Sequence, residues 1–544
     1  MALTSLFRNF GNANLTALTY QGKLADDRQE YIDWVVKYRQ YTEGDQDEVI
    51  STKQKKLIKP DGGDLHYKLN ICHTVIATEV DRLNMRGVKI TYPDNPQLSD
   101  DLTKQVAKWF RRNRLDEQGR GTHYAACRDG DSYIIVEMDT IKRLPTLTFN
   151  EAYDGETGVD MRYLDNNPNK PVYAVKRWIA EENTTDGTRV MRMNIYLPDR
   201  VLKMVNSTTN TNGSQNQSGW YAYEKDGETT EVIEMTLYGT TFRAGVQWWT
   251  DTGTETGQPL GIPVHHFRHI PNGGAYGRSA LADVVPDLQD RLNRTAAALE
   301  YATLFSGFSV NYAVGYDPEN VMDNPNSDGA AKVVQAVPGA MWYFTESDVT
   351  VGQLPPTDLM QLINAKDSCF RDIATVSATP LPMLNPSGQV AAEGTLQQVE
   401  APLLAKVKND QVSFGNTWED VARMMILCDS IFDGGQTTLT LDQINELEFE
   451  AQWDAAETRN DAVELANATA KKALGIPDEQ IYTELKYTAD QIEAWKNDAL
   501  ARRAVVLGTL AQKIATVEAE NVDTATDQST DNGSAGNGVN TSGN

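Results

Sequence analysis

The sequence predicts an α+β fold made of several structural units. After Ser279 and again after Leu396, apolar residues recur every three or four positions, which is the spacing of amphipathic helices. Between residues 132 and 250 they occur instead in short runs rich in valine, isoleucine and tyrosine, bounded by turn residues, as in β-strands. Because 544 residues exceed what one ordinary core accommodates, we expect roughly three or four units.

The charge balance limits the kinds of partner. With 50 lysines and arginines against 76 aspartates and glutamates, the net charge is −26. This charge argues against ordinary sequence-independent binding of nucleic acid, because such binding needs cations to displace counterions from phosphates. It does not argue against DNA that passes nearby without adhering. No stretch of roughly eighteen apolar residues occurs, so we expect no membrane partner.

Cysteines and histidines predict neither disulfides nor a metal site. The four cysteines lie far apart in apolar contexts without a C-x-x-C pair, and we interpret them as buried free thiols: Cys72, Cys127, Cys369 and Cys428. The segment GIPVHHFRHIPN holds three of the six histidines. In a strand, His265 and His269 would lie about 13 Å apart and His266 would face the other way, so they cannot bind one ion by themselves.

Residues 26–115 read as helical. One predicted face carries Tyr31, Trp34, Val35 and Tyr38, and a second carries Ile71, Val75, Ile76 and Val80 before a stop at Gly87. Between them lies a basic cluster of Lys53, Lys55, Lys56 and Lys59. It suits either contact with an anionic partner or a solvated loop.

A strand-rich part follows. A short helix and a turn at Asp129 and Gly130 precede the first strand. The predicted strands cover residues 132–138, 172–179, 189–197, 231–237 and 246–250. Residues 207–218 are polar and low in complexity, and we interpret them as an exposed loop.

The segment from Phe267 to Tyr316 turns a glycine-rich loop, GGAYG, into a long helix and then a strand. We expect Ser279 to cap the helix, Pro286 to kink or restart it, and Gly307 to end it. Acid-first pairs, Asp287 with Arg291 and Asp290 with Arg294, are expected on its outer side. The predicted buried face comprises Leu281, Val284, Val285, Leu288, Leu292 and Leu299.

The strand-like runs within residues 309–354 predict a small β module between two helices. The second helix is expected to begin with Thr357 as N-cap and to stop before Pro380. Its predicted apolar face comprises Leu359, Leu362, Ile363, Phe370 and Ile373. Residues 378–394, with three prolines and two glycines, can continue neither neighbouring helix.

A third helix is predicted to start at Leu396 and to exceed 50 Å at about 1.5 Å per residue, with bends at Pro402 and Gly415. Its apolar positions are Leu396, Val399, Leu403, Val407, Phe414, Trp418, Val421, Met425 and Cys428. Shorter helices follow, one ending at Gly475 and the next beginning at Pro477. From about Thr516 the composition is that of a disordered tail.

The motifs of common enzymes do not occur. The chain has no G-x-x-x-x-G-K-[ST], no G-x-S-x-G and no H-E-x-x-H, and GGAYG reads as a hinge before a helix rather than a phosphate loop. We therefore expect no catalytic residues, no cofactor and no resident metal. The long amphipathic helices instead suit a subunit that packs against copies of itself in a ring.

Several segments, taken in order, resemble the portal proteins of siphovirus-type tailed bacteriophages over most of residues 25–515. The resemblance rests on LNICHTVIATEVDRL, YLDNNPNKPVYAVKRW followed by MNIYLPDRVLK, HFRHIPNGGAYGRSALADVVPDLQDRLN, the NPSG loop, and WDAAETRNDAVELANATAKKALGIPDEQI. It implies a portal fold. The implied parts are an N-terminal helical and β wing (1–266), a loop and first stem helix (267–306), a small α/β clip (307–355), a second stem helix (356–377), a tunnel loop (378–395), a long kinked wing helix (396–440), the wing end and a helical crown (441–515), and a disordered tail (516–544).

The resemblance also implies a function and partners. It implies a homododecameric ring at one capsid vertex of the virion, assembled in the host cytoplasm, through which double-stranded DNA is packaged and ejected. The implied partners are the terminase large subunit, a head-completion or adaptor protein, the major capsid protein and a scaffold protein. A head-completion or tail structural protein is the alternative. Architecture distinguishes it from a portal, because such proteins usually lack a clip between two stem helices. An unrecognised enzyme comes third.

Specific residues follow from the same resemblance. The stem helices would pack through Leu281, Val285, Leu288, Leu292, Leu299, Leu362, Phe370 and Ile373. The tunnel loop would present Met383, Leu384, Asn385, Ser387, Gly388 and Gln389 to the DNA. Because residues 382–389 contain no lysine or arginine, any grip on DNA there would be steric or made through Asn385, Ser387 and Gln389.

Overall fold

The computed structural model describes most of the chain between residues 29 and 500. The described residues are 29–47, 68–93, 95–139, 141–142, 144–183, 188–206, 220–222, 231–237, 240–271, 273–281, 284–307, 311–314, 350–353, 358–385, 393–432, 437–457, 461–485, 487, 492, 495–498 and 500. They form the α+β fold that the sequence predicts. The basic cluster at 53–59, the polar loop at 207–218 and the tail from Thr516 lie outside the described residues.

The helices have the following bounds in chain order. They are α1 (Gln29–Glu43), α2 (Ile71–Val80), α3 (Pro96–Arg112), α4 (Leu115–Asp129), α5 (Val285–Gly307), α6 (Leu359–Ser377), α7 (Leu381–Leu384), α8 (Glu393–Ile431), α9 (Leu441–Asn445), α10 (Asp461–Ala473) and α11 (Asp478–Glu484). Within the described part of the chain, every helix is too short or too polar to cross a membrane.

The strands pair antiparallel into four sheets among the described residues. They are β1 (Met85–Thr91), β2 (Asp131–Asp139), β3 (Leu144–Glu151), β4 (Gly158–Tyr163), β5 (Pro171–Asn183), β6 (Thr188–Tyr196), β7 (Arg200–Asn206), β8 (Trp220–Ala222), β9 (Glu231–Leu237), β10 (Thr240–Trp248), β11 (Val264–Arg268), β12 (Asn311–Val314), β13 (Thr350–Gln353) and β14 (Glu448–Trp453). The largest sheet has the order β4-β5-β6-β7-β10-β9, with β8 beside β7. The others are β11-β2-β3, β1-β14 and β12-β13.

Two compact units divide the chain at Ala456 and Glu457. In the second unit, Gly475 ends α10 with a φ of +86°, as the sequence predicts, and Pro477 stands at the start of α11. Lys472 of α10 pairs with Asp478 of α11 at 3.0 Å. All elements from α1 to β14 belong to the first unit.

Trp418 of α8 lies at the centre of the first unit's core. Its ring packs against Phe110 and Phe267, and its Nε1 donates to Nε2 of the buried His123 at 3.0 Å. The Nδ1 of His123 lies 3.0 Å from the carbonyl oxygen of Leu83, so it carries the ring's single hydrogen. Burial lowers the pKa of His123 to about 4, which keeps the ring neutral. Helix α8 is thereby held against β11 and α4.

The N-terminal part departs from the prediction of continuous helix. Helix α2 ends at Val80, and Gly87 lies within β1, where the register shifts beside it. The strand forms because β14, more than 350 residues later, supplies its partner, with Ile90 opposite Phe449. A local pattern cannot reveal such a partner.

The predicted strands correspond to β2, β5, β6, β9 and β10, although β10 spans Thr240–Trp248 instead of residues 246–250. Helix α4 ends at Asp129, Gly130 turns with a φ of +95°, and β2 follows. All four cysteines are buried and free, as expected.

The glycine segment GGAYG differs from the hinge that the sequence suggests, because its last residue is tightly packed. A Cβ on Gly277 would lie 2.6 Å from the His269 carbonyl oxygen. The Gly277 amide donates to Asp131 at 2.7 Å.

Candidate functional site

Helices α5 and α6 lie side by side and run antiparallel. Arg291 donates to Asp372 at 3.1 Å, and Thr295 approaches the sulfur of Cys369 at 4.0 Å, so the numbering rises on one helix as it falls on the other. The expected pairs within α5 are replaced by longer-range ones: Lys37 lies 3.6 Å from Asp287, and Tyr41 donates to Asp290 at 2.9 Å.

The beginning of α5 differs from the prediction. Residues 279–281 form a turn in which the Ser279 hydroxyl accepts from the Leu281 amide at 3.1 Å, and the helix begins only at Val285. Pro286 therefore lies in the first turn of α5, where its missing N–H is not needed for a helical hydrogen bond. Of the two sequence expectations, a kink or a new helix start at Pro286, the structure has the new start. Leu281 is buried as predicted, whereas Val284 is 49% exposed because it precedes the helix.

Only the ends of α5 and α6 nearest the core are buried. The buried residues of the predicted apolar faces are Leu281, Val285, Leu292, Phe370 and Ile373, whereas Leu288, Leu299 and Leu362 are half-buried. Residues 298–303 and 358–368 are all exposed or half-buried. Met360 and Ile363 of that distal part remain 59% and 39% exposed. The helix pair therefore extends beyond the core of its unit and presents apolar side chains there.

A two-stranded sheet joins the distal ends of the pair. Strand β12 follows α5, β13 precedes α6, and Asn311 lies opposite Gln353 while Val314 lies opposite Thr350. Residues 315–349 between them are outside the described part of the chain. Helix α6 begins one residue later than Thr357 suggests, because the Asp358 carboxylate accepts from the Met360 amide at 2.9 Å and caps the helix.

Two buried amides attach the base of α5 to the start of α2. Gln289 accepts from the Ile71 amide at 3.1 Å and donates to the Leu69 carbonyl oxygen at 2.6 Å. Asn293 accepts from the Leu69 amide and from Gln289, both at 3.0 Å. Sequence reasoning missed both residues, although two amides at i and i+4 on an apolar helix face are a usable signal.

Replacing Gln289 with leucine is expected to destabilise the protein by about 2–4 kcal/mol. The change leaves the Leu69 carbonyl and the Ile71 amide without these partners in a buried place, and each orphaned group costs roughly 1–3 kcal/mol. Chemical denaturation of the full chain measures the loss. The same substitution at the exposed Gln361 of α6 is the control and should change the free energy of unfolding by less than about 0.5 kcal/mol. Equal effects at both positions would contradict the anchoring role.

The segment after α6 is only partly a loop. Ala378 adopts a left-handed φ of +55° and ends α6, after which α7 forms one short helical turn. Met383 is half-buried and Leu384 is buried in the core of this unit. The DNA-facing role that the sequence suggests for them stays a prediction. Asn385 donates to Asp367 of α6 at 3.3 Å. Ser387, Gly388 and Gln389 lie outside the described residues.

Helix α8 begins at Glu393, three residues before the predicted start, and continues to Ile431 with Pro402 inside it. Its 39 residues span about 58 Å at about 1.5 Å each. The predicted apolar positions from Leu403 to Cys428 are buried, whereas Val399 near the start is 41% exposed. From the exposed Val399 the helix thus runs into the middle of the core.

One buried group resembles a hydrolytic triad in composition only. His266 lies 2.7 Å from Asp131 and 2.7 Å from the Tyr163 hydroxyl. Burial raises the pKa of Tyr163, although the charge of Arg268 opposes the rise, so the phenol stays protonated and is a poor nucleophile. Asp131 also accepts from Tyr31 and from the Gly277 amide, which makes it a structural junction.

Comparisons with known proteins give one relevant similarity. The chain is 22% identical over 314 residues to a protein of Mycobacterium phage L5 named "Portal protein". The match covers 54% of this chain and 61% of that relative, so the chain spans about three fifths of the relative's length. No protein-family model matches the chain.

Proposed function

We propose that this chain is a structural subunit of a phage portal, which forms a ring-shaped channel for double-stranded DNA at one capsid vertex. The observation that carries the proposal is the antiparallel pair α5 and α6, joined at its distal end by β12 and β13 and extending beyond the core with exposed apolar residues. The name of the phage relative supports the same function.

The parts of the chain then take the following roles. Helices α5 and α6 form the stem, residues 307–355 form the clip, and α8 forms the long wing helix. Residues 1–266 form the rest of the wing, and the second compact unit contributes the crown. The tunnel loop follows α6 and includes Met383, Leu384, Asn385, Ser387, Gly388 and Gln389.

The apolar distal residues suit a closed ring of identical subunits. Met360 and Ile363 face solvent in a single subunit, and a head-to-tail ring covers such a surface on every copy with the neighbouring copy. We propose a homododecamer, with the terminase large subunit and a head-completion protein docking on the clip, and with the major capsid protein and a scaffold protein around the wing.

The acidic charge suits a channel through which DNA slides. With a net charge of −26, the chain repels phosphates and offers few counterion-displacing contacts. DNA that moves through such a channel meets no series of phosphate-binding sites that would hold it in place. The tunnel loop contributes only polar and steric contacts, because residues 382–389 contain no lysine or arginine.

Native mass spectrometry of the purified full chain, with class averages from negative-stain images, tests the proposal. The expected result is a ring with a central hole and a mass near twelve copies of the 60.3 kDa chain, about 720 kDa. A compact dimer without a pore contradicts it. ATP hydrolysis by the isolated protein that one acidic substitution abolishes would support an enzyme instead.

A further inference from the structure

Four segments of the first unit bring side chains that can bind metals close together in the core. Glu79 comes from α2, Cys127 from α4, His269 from the residue after β11, and Asp410 from α8. Single ligand atoms of Glu79, Cys127 and His269 all lie within 4.8 Å of one another, and Asp410 lies 3.6 Å from Nε2 of His269. All four residues are buried.

The imidazole of His269 is oriented as a ligand. Its Nδ1 lies 2.5 Å from the Arg278 carbonyl oxygen, which can only accept, so Nδ1 carries a hydrogen. Nε2 then points at the carboxylates, 3.2 Å from Glu79 Oε1. Donation of the outer nitrogen to a backbone carbonyl is the usual way in which proteins hold a metal-binding histidine.

Asp410 lies beside the other three residues. Its side chain is 1% exposed, it shares a hydrogen bond with the Glu79 carboxyl group, and its Oδ2 lies 3.6 Å from Nε2 of His269. Two buried carboxyl groups side by side are costly unless a cation lies next to them. Burial raises the pKa of Asp410, and the charge of Glu79 adds to the rise, while that of His269 opposes it.

From this geometry we infer that Glu79, Cys127, His269 and Asp410 form a buried site for one divalent transition-metal ion of the zinc type. Nitrogen, thiolate and carboxylate are the donors that zinc takes in four-coordinate sites, and two ligands at about 2.0 Å in a tetrahedron lie roughly 3.3 Å apart. The two separations measured from Nε2 of His269, 3.2 Å to Glu79 Oε1 and 3.6 Å to Asp410 Oδ2, agree with that value.

The charges balance when the ion binds. Without it, the carboxyl groups of Glu79 and Asp410 lie beside two basic groups: Nε2 of His269 is 3.6 Å from Asp410 Oδ2, and Nζ of Lys406 is 2.8 Å from Glu79 Oε2. A divalent ion displaces one proton from His269 and one from the Cys127 thiol. The loss of these two protons offsets the two positive charges of the ion. Lys406 keeps its contact with the second oxygen of Glu79.

The site joins elements that are far apart in the chain, so the ion has a structural role: it links α2, α4 and α8 to one another. Because all donors are buried, the ion is expected to enter while the chain folds. This role is independent of the proposed portal function, since it concerns the core of a single subunit. It also revises the sequence expectation that Cys127 is a buried free thiol and not a metal ligand.

Expression of the full chain in minimal medium supplemented with Co²⁺, followed by desalting, tests the inference. About one cobalt per chain is expected by elemental analysis, together with a thiolate-to-cobalt charge-transfer band and the strong visible bands of a four-coordinate ion. Cys127→Ser should lose the charge-transfer band. Cys428→Ser, at another fully buried free thiol, is the matched control and should keep it.

A second measurement on the unsubstituted chain does not depend on whether a variant folds. After expression with Zn²⁺, X-ray absorption at the zinc edge should show one sulfur at about 2.3 Å and nitrogen or oxygen neighbours at about 2.0 Å. A chain without stoichiometric metal, or an ion surrounded by nitrogen and oxygen alone, overturns the inference. So does a charge-transfer band that survives in Cys127→Ser.

Discussion

A chain that carries both Leu288→Asp and Leu292→Asp is expected to fail as a folded subunit, before any ring can form. Leu292 is 0% exposed and Leu288 packs against the same core, so each aspartate would be placed in an apolar environment without a partner. Burying one such group costs several kcal/mol, and the whole stability of a domain is about 5–15 kcal/mol. We expect a loss above about 4 kcal/mol.

Circular dichroism during urea unfolding measures this loss on the full chain. Ala298→Asp adds one such charge at an exposed position of α5 and is expected to leave the unfolding midpoint almost unchanged. Wild-type stability in the double variant, with only ring assembly lost, would show that Leu288 and Leu292 face a neighbouring subunit. The structure instead places them toward the core of their own subunit.

Sequence periodicity located α5, α6 and α8 but did not identify what covers each face. Leu292, Phe370 and Ile373 are buried as predicted, because those turns lie against the core. Ile363 belongs to the same pattern and remains exposed, because α6 extends past the core at that point. The spacing of apolar residues along a helix shows that one face is apolar. Only the tertiary structure shows how far along the helix the core covers that face.

Contacts between distant parts of the chain explain the main errors. Glu79 and His269 are 190 positions apart, and β1 meets β14 only in the folded state. Geometry along one strand predicts that His265 and His269 do not converge on one ion. It had no means of bringing Glu79, Cys127 and Asp410 to His269, because no local pattern encodes that meeting.

The distal part of α6 leads to the prediction that addresses the ring most directly. A Met360→Asp, Ile363→Asp variant is expected to lose the ring while keeping the unfolding midpoint of the wild-type subunit. Both side chains are exposed in the single subunit, so the charges cost little there. In the proposed ring, each copy would bury two carboxylates, and burial of the replaced side chains is worth about 1.5–3 kcal/mol each.

Native mass spectrometry and thermal unfolding, performed on the same preparations, separate assembly from folding. Asn364→Asp, one residue along the helix at an exposed polar position, adds a charge without removing apolar surface and should assemble normally. If the double variant forms rings of wild-type mass, these helices do not form the interface between subunits. Because this test changes residues that the core does not need, its failure would count against the stem assignment and not against the fold.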